Sequence, residues 1–127
     1  MTRTRRTLAG LLTAGLVASP LALVASPAAA ADRDFRYGGA DIDLEVDKDD
    51  GEFDIDVDID DAKPGSRWRI VMKHDGKRFH SRKHRADGDG DVDVDKERPN
   101  TAGKDVFVIT IKKVGKKKAA TRTFRMQ

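Results

Sequence analysis

The chain contains no cysteine. That excludes disulfides, thiolate metal sites and the lipid anchor of bacterial lipoproteins, which requires a cysteine after the export signal. Aromatic residues are sparse: one Trp, one Tyr and five Phe in 127 residues. They do not interleave with the basic residues as a base-stacking platform requires, so nucleic acid is not an expected partner. No apolar run after residue 31 is long enough to cross a bilayer. There is no amphipathic helical period, no Gly-rich phosphate loop and no glycosylation acceptor at Asn100. Nucleophiles are equally scarce. Beyond residue 31 the only serines are Ser66 and Ser81. Ser66 sits in a Pro64-Gly65-Ser66 turn, and Ser81 is expected to point into a core. Neither has a His–carboxylate pair nearby in the sequence. The acids stand in rows rather than as a pair around a cleft. Catalysis is therefore not expected, and no cofactor is implied.

What the chain does have begins with its N-terminus. Arg3, Arg5 and Arg6 form a positive region, Leu8 to Ala25 is uncharged and rich in Leu, Ala and Val, and Ala28 to Ala31 offers small residues for cleavage. This is the three-part pattern of a bacterial secretory signal. The expected cut falls after Ala30 or Ala31, which gives a signal peptide over 1–31 and one domain over 32–127. Thr4-Arg5-Arg6-Thr7-Leu8 also resembles a twin-arginine motif, so both export routes stay open. The expected location is secreted, either extracellular or held at the cell wall, with no membrane span left after cleavage.

The formal charge of the whole chain is +3. Without Arg3, Arg5 and Arg6 the remainder is formally neutral, with 22 acids and 22 bases. The charges are distributed in blocks. Residues 32–61 hold 14 acids and 3 bases, residues 62–86 hold 1 acid and 9 bases, residues 87–97 hold 6 acids and 1 base, and residues 98–127 hold 1 acid and 9 bases.

Residues 40–47, 53–60 and 91–95 alternate strictly between apolar residues and Asp or Glu, the period of a half-buried strand. Residues 67–74 and 77–84 flank Asp75-Gly76, a strong hairpin signal. Residues 105–113 are the most apolar run, and 119–125 form a last strand. Seven short strands, separated by turn residues about every ten positions, predict an all-β antiparallel sandwich. A two-residue turn at Asp75-Gly76 would place Met72 opposite Phe79 and Ile70 opposite Ser81 on the core side. On the outside it would place Lys73 opposite Arg78 and Arg69 opposite Arg82.

On these features the chain resembles a small, exported, disulfide-free immunoglobulin-like or fibronectin-III-like domain of the kind found in actinobacteria, over about residues 40–126. Trp68 stands at the start of the third strand, after the Pro64-Gly65 turn. Asp105-Val106-Phe107-Val108-Ile109 is similar to the Asp-x-Tyr-x-Cys of the sixth strand. Both family cysteines and the corner tyrosine are missing, so the resemblance is architectural and carries no binding residue. It implies that the strands over 40–47, 53–60 and 91–95 share one sheet and the other four share the second. The four charge blocks would then become two faces. One would carry Asp41, Asp43, Glu45, Asp54, Asp56, Asp58, Asp91 and Asp93, and the other Arg67, Arg69, Lys73, Arg78, Arg82, Lys112 and Arg125.

The leading expectation is a non-enzymatic binding module. Its basic sheet face (Arg67, Arg69, Lys73, Arg78, Arg82 and Lys112) would contact an anionic cell-wall polymer such as teichoic acid, or an acidic protein. The alternatives are self-association of acidic face on basic face, and weak calcium-dependent adhesion. For calcium, Asp87, Asp89 and Asp91 place oxygen ligands at alternate positions. An EF-hand loop from Asp87 would need Gly at Val92 and Glu at Arg98, and has neither; Asp47, Asp49 and Asp50 are a second acidic loop. His80 and His84 share a strand side, but His74 is expected to face the other way, which leaves too few ligands for zinc. Lys116 to Lys118, with Lys112 and Lys113, reads as a solvated turn.

Overall fold

A computed structural model describes residues 30–127, which form eight strands and no helix. The strands are β1 (Ala30–Tyr37), β2 (Ala40–Asp49), β3 (Glu52–Asp60), β4 (Arg67–His74), β5 (Lys77–Arg85), β6 (Val92–Pro99), β7 (Asp105–Lys113) and β8 (Ala120–Met126). They make two antiparallel four-stranded sheets, ordered β1-β2-β3-β6 and β5-β4-β7-β8. The basic residues of the expected N-terminal signal and the whole of its apolar stretch, Leu8 to Ala25, lie outside the described residues.

Period-two alternation sets the core. Ile42, Leu44 and Val46 of β2 and Phe53, Ile55, Val57 and Ile59 of β3 are buried. They meet Trp68, Ile70 and Met72 of β4 and Phe107, Ile109 and Ile111 of β7 in a single cluster. Phe53 and Phe107 touch edge to face across the sheets, with centroids 5.0 Å apart. Trp68 is fully buried, and its indole Nε1 donates to Ser66 Oγ at 2.9 Å. Ser66 Oγ in turn donates to the Lys63 carbonyl at 2.6 Å. The hydroxyl of Ser66 is therefore committed to holding the tryptophan and its turn.

The expected seven strands are eight, because residues 30–37 form β1 on the edge of the acidic sheet. The missed signal was Gly38-Gly39. Both glycines have positive φ (64° and 82°) and join Tyr37 to Ala40 as a two-residue hairpin turn. β1 helps close one side of the sandwich. Tyr37 accepts from the Lys113 amide at 3.1 Å, donates to the Lys118 carbonyl at 2.6 Å and packs edge-on against Trp68. Arg122 of β8 lies 3.8 Å over the Phe35 ring. A cut after Ala31 would take Ala30 and Ala31, the first two residues of this strand.

The β4–β5 register departs from the expected one. Asp75 and Gly76 do form the turn, both with positive φ (50° and 83°). Lys73 does face Arg78, but a bulge follows and Met72 pairs with His80. Phe79 is the extra residue. From there each β5 side chain is shifted by one, which reverses its side of the sheet. Val71, not Ile70, faces Ser81; Ile70 faces Arg82; and Arg69 faces Lys83. Ser81 accordingly points outward, where Arg69 donates to its hydroxyl at 3.3 Å, and Phe79 is only half-buried, beneath the Arg98 guanidinium.

The turn into β6 is tied to the exit of β3 through Gly90. The Ala62 amide donates to the Gly90 carbonyl at 3.0 Å. Gly90 has φ +81°, and a Cβ there would lie 2.1 Å from the Ala62 carbonyl oxygen. Gly51 has the same φ with nothing within 4 Å. Gly51→Ala should therefore cost only the left-handed conformation, about 1–2 kcal/mol. Gly90→Ala should cost that and a backbone displacement. Calorimetric melting is expected to show a clearly larger loss for Gly90→Ala, with each kcal/mol worth about 4–8 °C in a domain of this size.

Candidate functional site

The outward positions of β1, β2, β3 and β6 are nearly all carboxylates, and strand register aligns them in rows. Asp34 faces Asp43, Asp43 faces Asp58, and Asp58 faces Asp93. In the next row Asp32 faces Glu45, Glu45 faces Asp56, and Asp56 faces Asp95. Asp47, Asp54 and Glu97 make a third. Residues directly opposite one another have Cβ atoms about 5 Å apart. The one ion pair in this grid joins Arg36 to Asp41 at its edge.

Crowding changes the acidity of the central carboxyls. Asp58 is pushed up to about 7 by partial burial, by a hydrogen bond shared with Asp93 and by the charges of Asp93, Asp43 and Asp60. Asp56 is pushed up to about 6 by partial burial and then by Asp95, Glu45 and Asp54. Asp43 is raised as well, by burial and by Asp34. These rows combine strand period with register, and alternation within single strands was their only sequence signal.

The second sheet presents a different arrangement. Along its outer side Lys83 faces Arg69, and Arg69 faces Lys112. Arg67 faces Arg85 at the same end. Arg69, Lys83, Lys112, Val114 and Gly115 line a shallow depression. Lys73 and Arg78 lie opposite each other toward the other end, and Arg125 is exposed on β8. Between the ends stand Val71, Thr110, Val108 and Thr123, so the middle of this surface is uncharged.

Of the expected basic residues, Arg67, Arg69, Lys73, Arg78 and Lys112 occupy this outer side. Arg82 does not. The bulge places it opposite Ile70, on the inner side of the edge strand, between His80 and His84. Lys83 and Arg85 take the outer positions instead, which the sequence could not indicate without the bulge.

The same shift corrects the histidines. His80 stands opposite Met72, so it lies on the same side of the sheet as His74. His80 and His84 do come together, with Nε2 atoms 2.9 Å apart and rings stacked at 5.1 Å. Burial, and then the charges of Lys96, His84 and Arg82, lower His80 to about 4. His84 is lowered by burial, Arg82 and Lys96.

Asp87, Asp89 and Asp91 also come together, with ligand-type atoms within 4.8 Å of one another. Asp87 has a structural duty there. Its Oδ1 accepts from the amides of Asp89 (2.9 Å) and Asp91 (3.0 Å), closing the turn before β6. Those hydrogen bonds hold its carboxyl below the usual range. Asp91 is raised by burial and by Asp87 and Asp60.

A further cluster was not anticipated. His74 and Asp105 are both buried at one end of the sandwich, with His74 Nε2 2.7 Å from Asp105 Oδ1 and 3.6 Å from Asp75 Oδ2. The His74 ring stacks on Phe107 at 4.3 Å. Burial alone would raise Asp105, but hydrogen bonds from Thr101 and His74 outweigh it and hold the carboxyl low. The sequence hint was a residue pair 31 apart, visible only once β4 and β7 are neighbours.

The raised carboxyls set a pH dependence. The folded state holds protons on Asp58 and Asp56 that the unfolded chain has already released. Their repulsion is thus present in full above about pH 7, and stability rises as pH falls through 7 toward 4. His80 and His84 act in the opposite sense, losing stability as pH falls from 6.5 toward 4. With His80→Gln and His84→Gln removing the opposing effect, the melting temperature should therefore rise from pH 8 to about pH 6. Adding Asp58→Asn should stabilise the fold at pH 8, by up to about 1 kcal/mol, and flatten that rise. Calorimetry of both proteins across this range is the check.

No protein-family model matches the chain, nor does any curated protein or solved structure.

Proposed function

We propose that the protein is an exported, non-enzymatic binding module of immunoglobulin-like type, cut from its signal near residue 31. Its working surface is the outer side of the β5-β4-β7-β8 sheet, which meets an anionic polymer of the cell surface or an acidic protein. The observation that carries this reading is the row Lys83–Arg69–Lys112, three cations on adjacent strands around one depression. Like charges directly opposite one another destabilise a sheet by a few tenths of a kcal/mol to about 1 kcal/mol. No acidic side chain stands in this row to relieve it, whereas an anionic ligand would. Arg67 and Arg85 extend the cationic end, and Lys73 and Arg78 offer a second contact across the neutral Val and Thr strip.

Retention on isolated cell wall or on an anionic polymer resin tests this surface. The protein should bind at low ionic strength and elute by about 0.3 M salt, where screening reaches within a few ångström of each charge. Arg69→Glu with Lys83→Glu and Lys112→Glu should abolish retention. Arg82→Glu, off this surface, should leave most of it. Retention of the triple variant at wild-type strength would remove the proposed surface.

The carboxylate rows favour a second reading, in which the acidic sheet of one copy seats on the basic sheet of the next. Such a contact is heterologous and need not close, so it would build chains. Light scattering at low salt is expected to show mass rising with concentration and falling on salt addition. A strict monomer at every concentration would dismiss this reading and leave the polymer reading standing.

A further inference from the structure

We propose that His74, Asp75 and Asp105 form a binding site for one zinc-like divalent transition-metal ion at the end of the sandwich beneath the β4–β5 turn. One ligand-type atom from each lies within 4.8 Å of the other two. The cluster is a built one. His74 closes β4, Asp75 opens the turn, and Asp105 begins β7. The His74 ring is held flat against Phe107 and edge-on to Phe53.

The independent sign of a ligand is the carboxyl of Asp105. Its Oδ1 accepts from His74 Nε2 (2.7 Å), the Thr101 hydroxyl (2.5 Å) and the Thr101 amide (3.3 Å). Its Oδ2 is fully buried and has no hydrogen-bond partner among the described residues. A buried carboxylate oxygen without a donor is rare in folded proteins and calls for a water, a proton or an ion. Asp75 is divided less sharply. Its Oδ1 accepts from the Val106 amide at 2.8 Å, while Oδ2 accepts a longer bond from the Thr101 hydroxyl (3.3 Å) and lies 3.6 Å from His74 Nε2. Each carboxylate thus has one oxygen anchored by protein donors, the arrangement that outer-sphere partners impose on metal ligands.

The donor set selects the ion. One imidazole nitrogen and two carboxylate oxygens suit zinc, with water completing a four-coordinate site. Calcium asks for six to eight oxygens and does not favour imidazole. On binding, the His74–Asp105 hydrogen bond breaks, the ring carries its one proton on Nδ1, and the freed Nε2 lone pair coordinates the metal. Asp75, whose side chain is 39% exposed, supplies the path of entry.

The test is calorimetric titration of the purified protein, free of histidine tags, with Zn²⁺, Co²⁺ and Ca²⁺. Melting curves and the visible spectrum of the Co²⁺ form accompany it. One equivalent of Zn²⁺ or Co²⁺ should bind, raise the melting temperature and shift the His74 ring signals in NMR, while Ca²⁺ should do none of these. Asp75→Asn keeps the acceptor for the Val106 amide and lies at the surface, so it should fold. It should weaken binding about tenfold or more. His74→Gln should abolish binding, and His80→Gln with His84→Gln should leave it intact. No binding at millimolar Zn²⁺, binding unchanged in Asp75→Asn, or binding lost in the His80/His84 variant would each overturn the proposal.

Discussion

The structure depends on a competition within the strands that carry the carboxylates. From Ala40 to Val46 in β2 and from Phe53 to Ile59 in β3 every inward residue is a buried Ile, Leu, Val, Phe or Ala, and every outward one is Asp or Glu. Burying one such large apolar side chain contributes about 1.5–3 kcal/mol. A like-charged pair across a ladder costs from a few tenths to about 1 kcal/mol. Burial wins at each step, so the strands pair in the register that lines up both the apolar residues and the acids. A slip by one residue would turn the acids into the core. The repulsion within the rows is therefore a consequence of the only register the core permits.

The central carboxyls answer that repulsion by holding protons. Asp56 and Asp58, in the middle of the grid, have acid neighbours on both adjacent strands, while Asp41 at the edge has Arg36. The same crowding in the other sheet leaves Lys83, Arg69 and Lys112 adjacent, with no carboxylate in their row. A sheet of acids can soften its own field by protonation. A row of these bases requires counterions or an anionic partner, and the proposed binding surface rests on this asymmetry.

The two open sides of the sandwich are finished differently. At one, Tyr37 of β1 bridges to Lys113 and Lys118, and Arg122 covers Phe35. At the other, Arg98 lies over Phe79, and its Nε is buried without a partner among the described residues. His80 and His84 line the same strand, lowered by their burial and by Lys96 and Arg82. The bulge at Phe79 makes this side. It ends the β5 alternation begun at the turn and sends His80 inward and Ser81 outward.

Much of the architecture was legible in the chain. Strict alternation at 40–47, 53–60 and 91–95 located three strands and their buried sides, because a side-chain period of two has one geometric meaning. Asp75-Gly76 located the hairpin, since both positions need positive φ. Grouping of the strands over 40–47, 53–60 and 91–95 in one sheet agrees with the order β1-β2-β3-β6. β1 is hidden in the sequence because its pattern is mixed, with Arg33 on the side of Phe35, and only the Gly38-Gly39 turn marks it. The extra residue at Phe79 leaves no mark in local sequence, so alternation alone puts Arg82 on the outer side and hides Lys83 and Arg85. The His74–Asp105 contact spans 31 residues and exists only because β4 and β7 are hydrogen-bonded neighbours. Local periodicity determined which residues are buried and which are charged and exposed. Strand order and one bulge, products of packing two sheets on a shared core, decided which charges stand together.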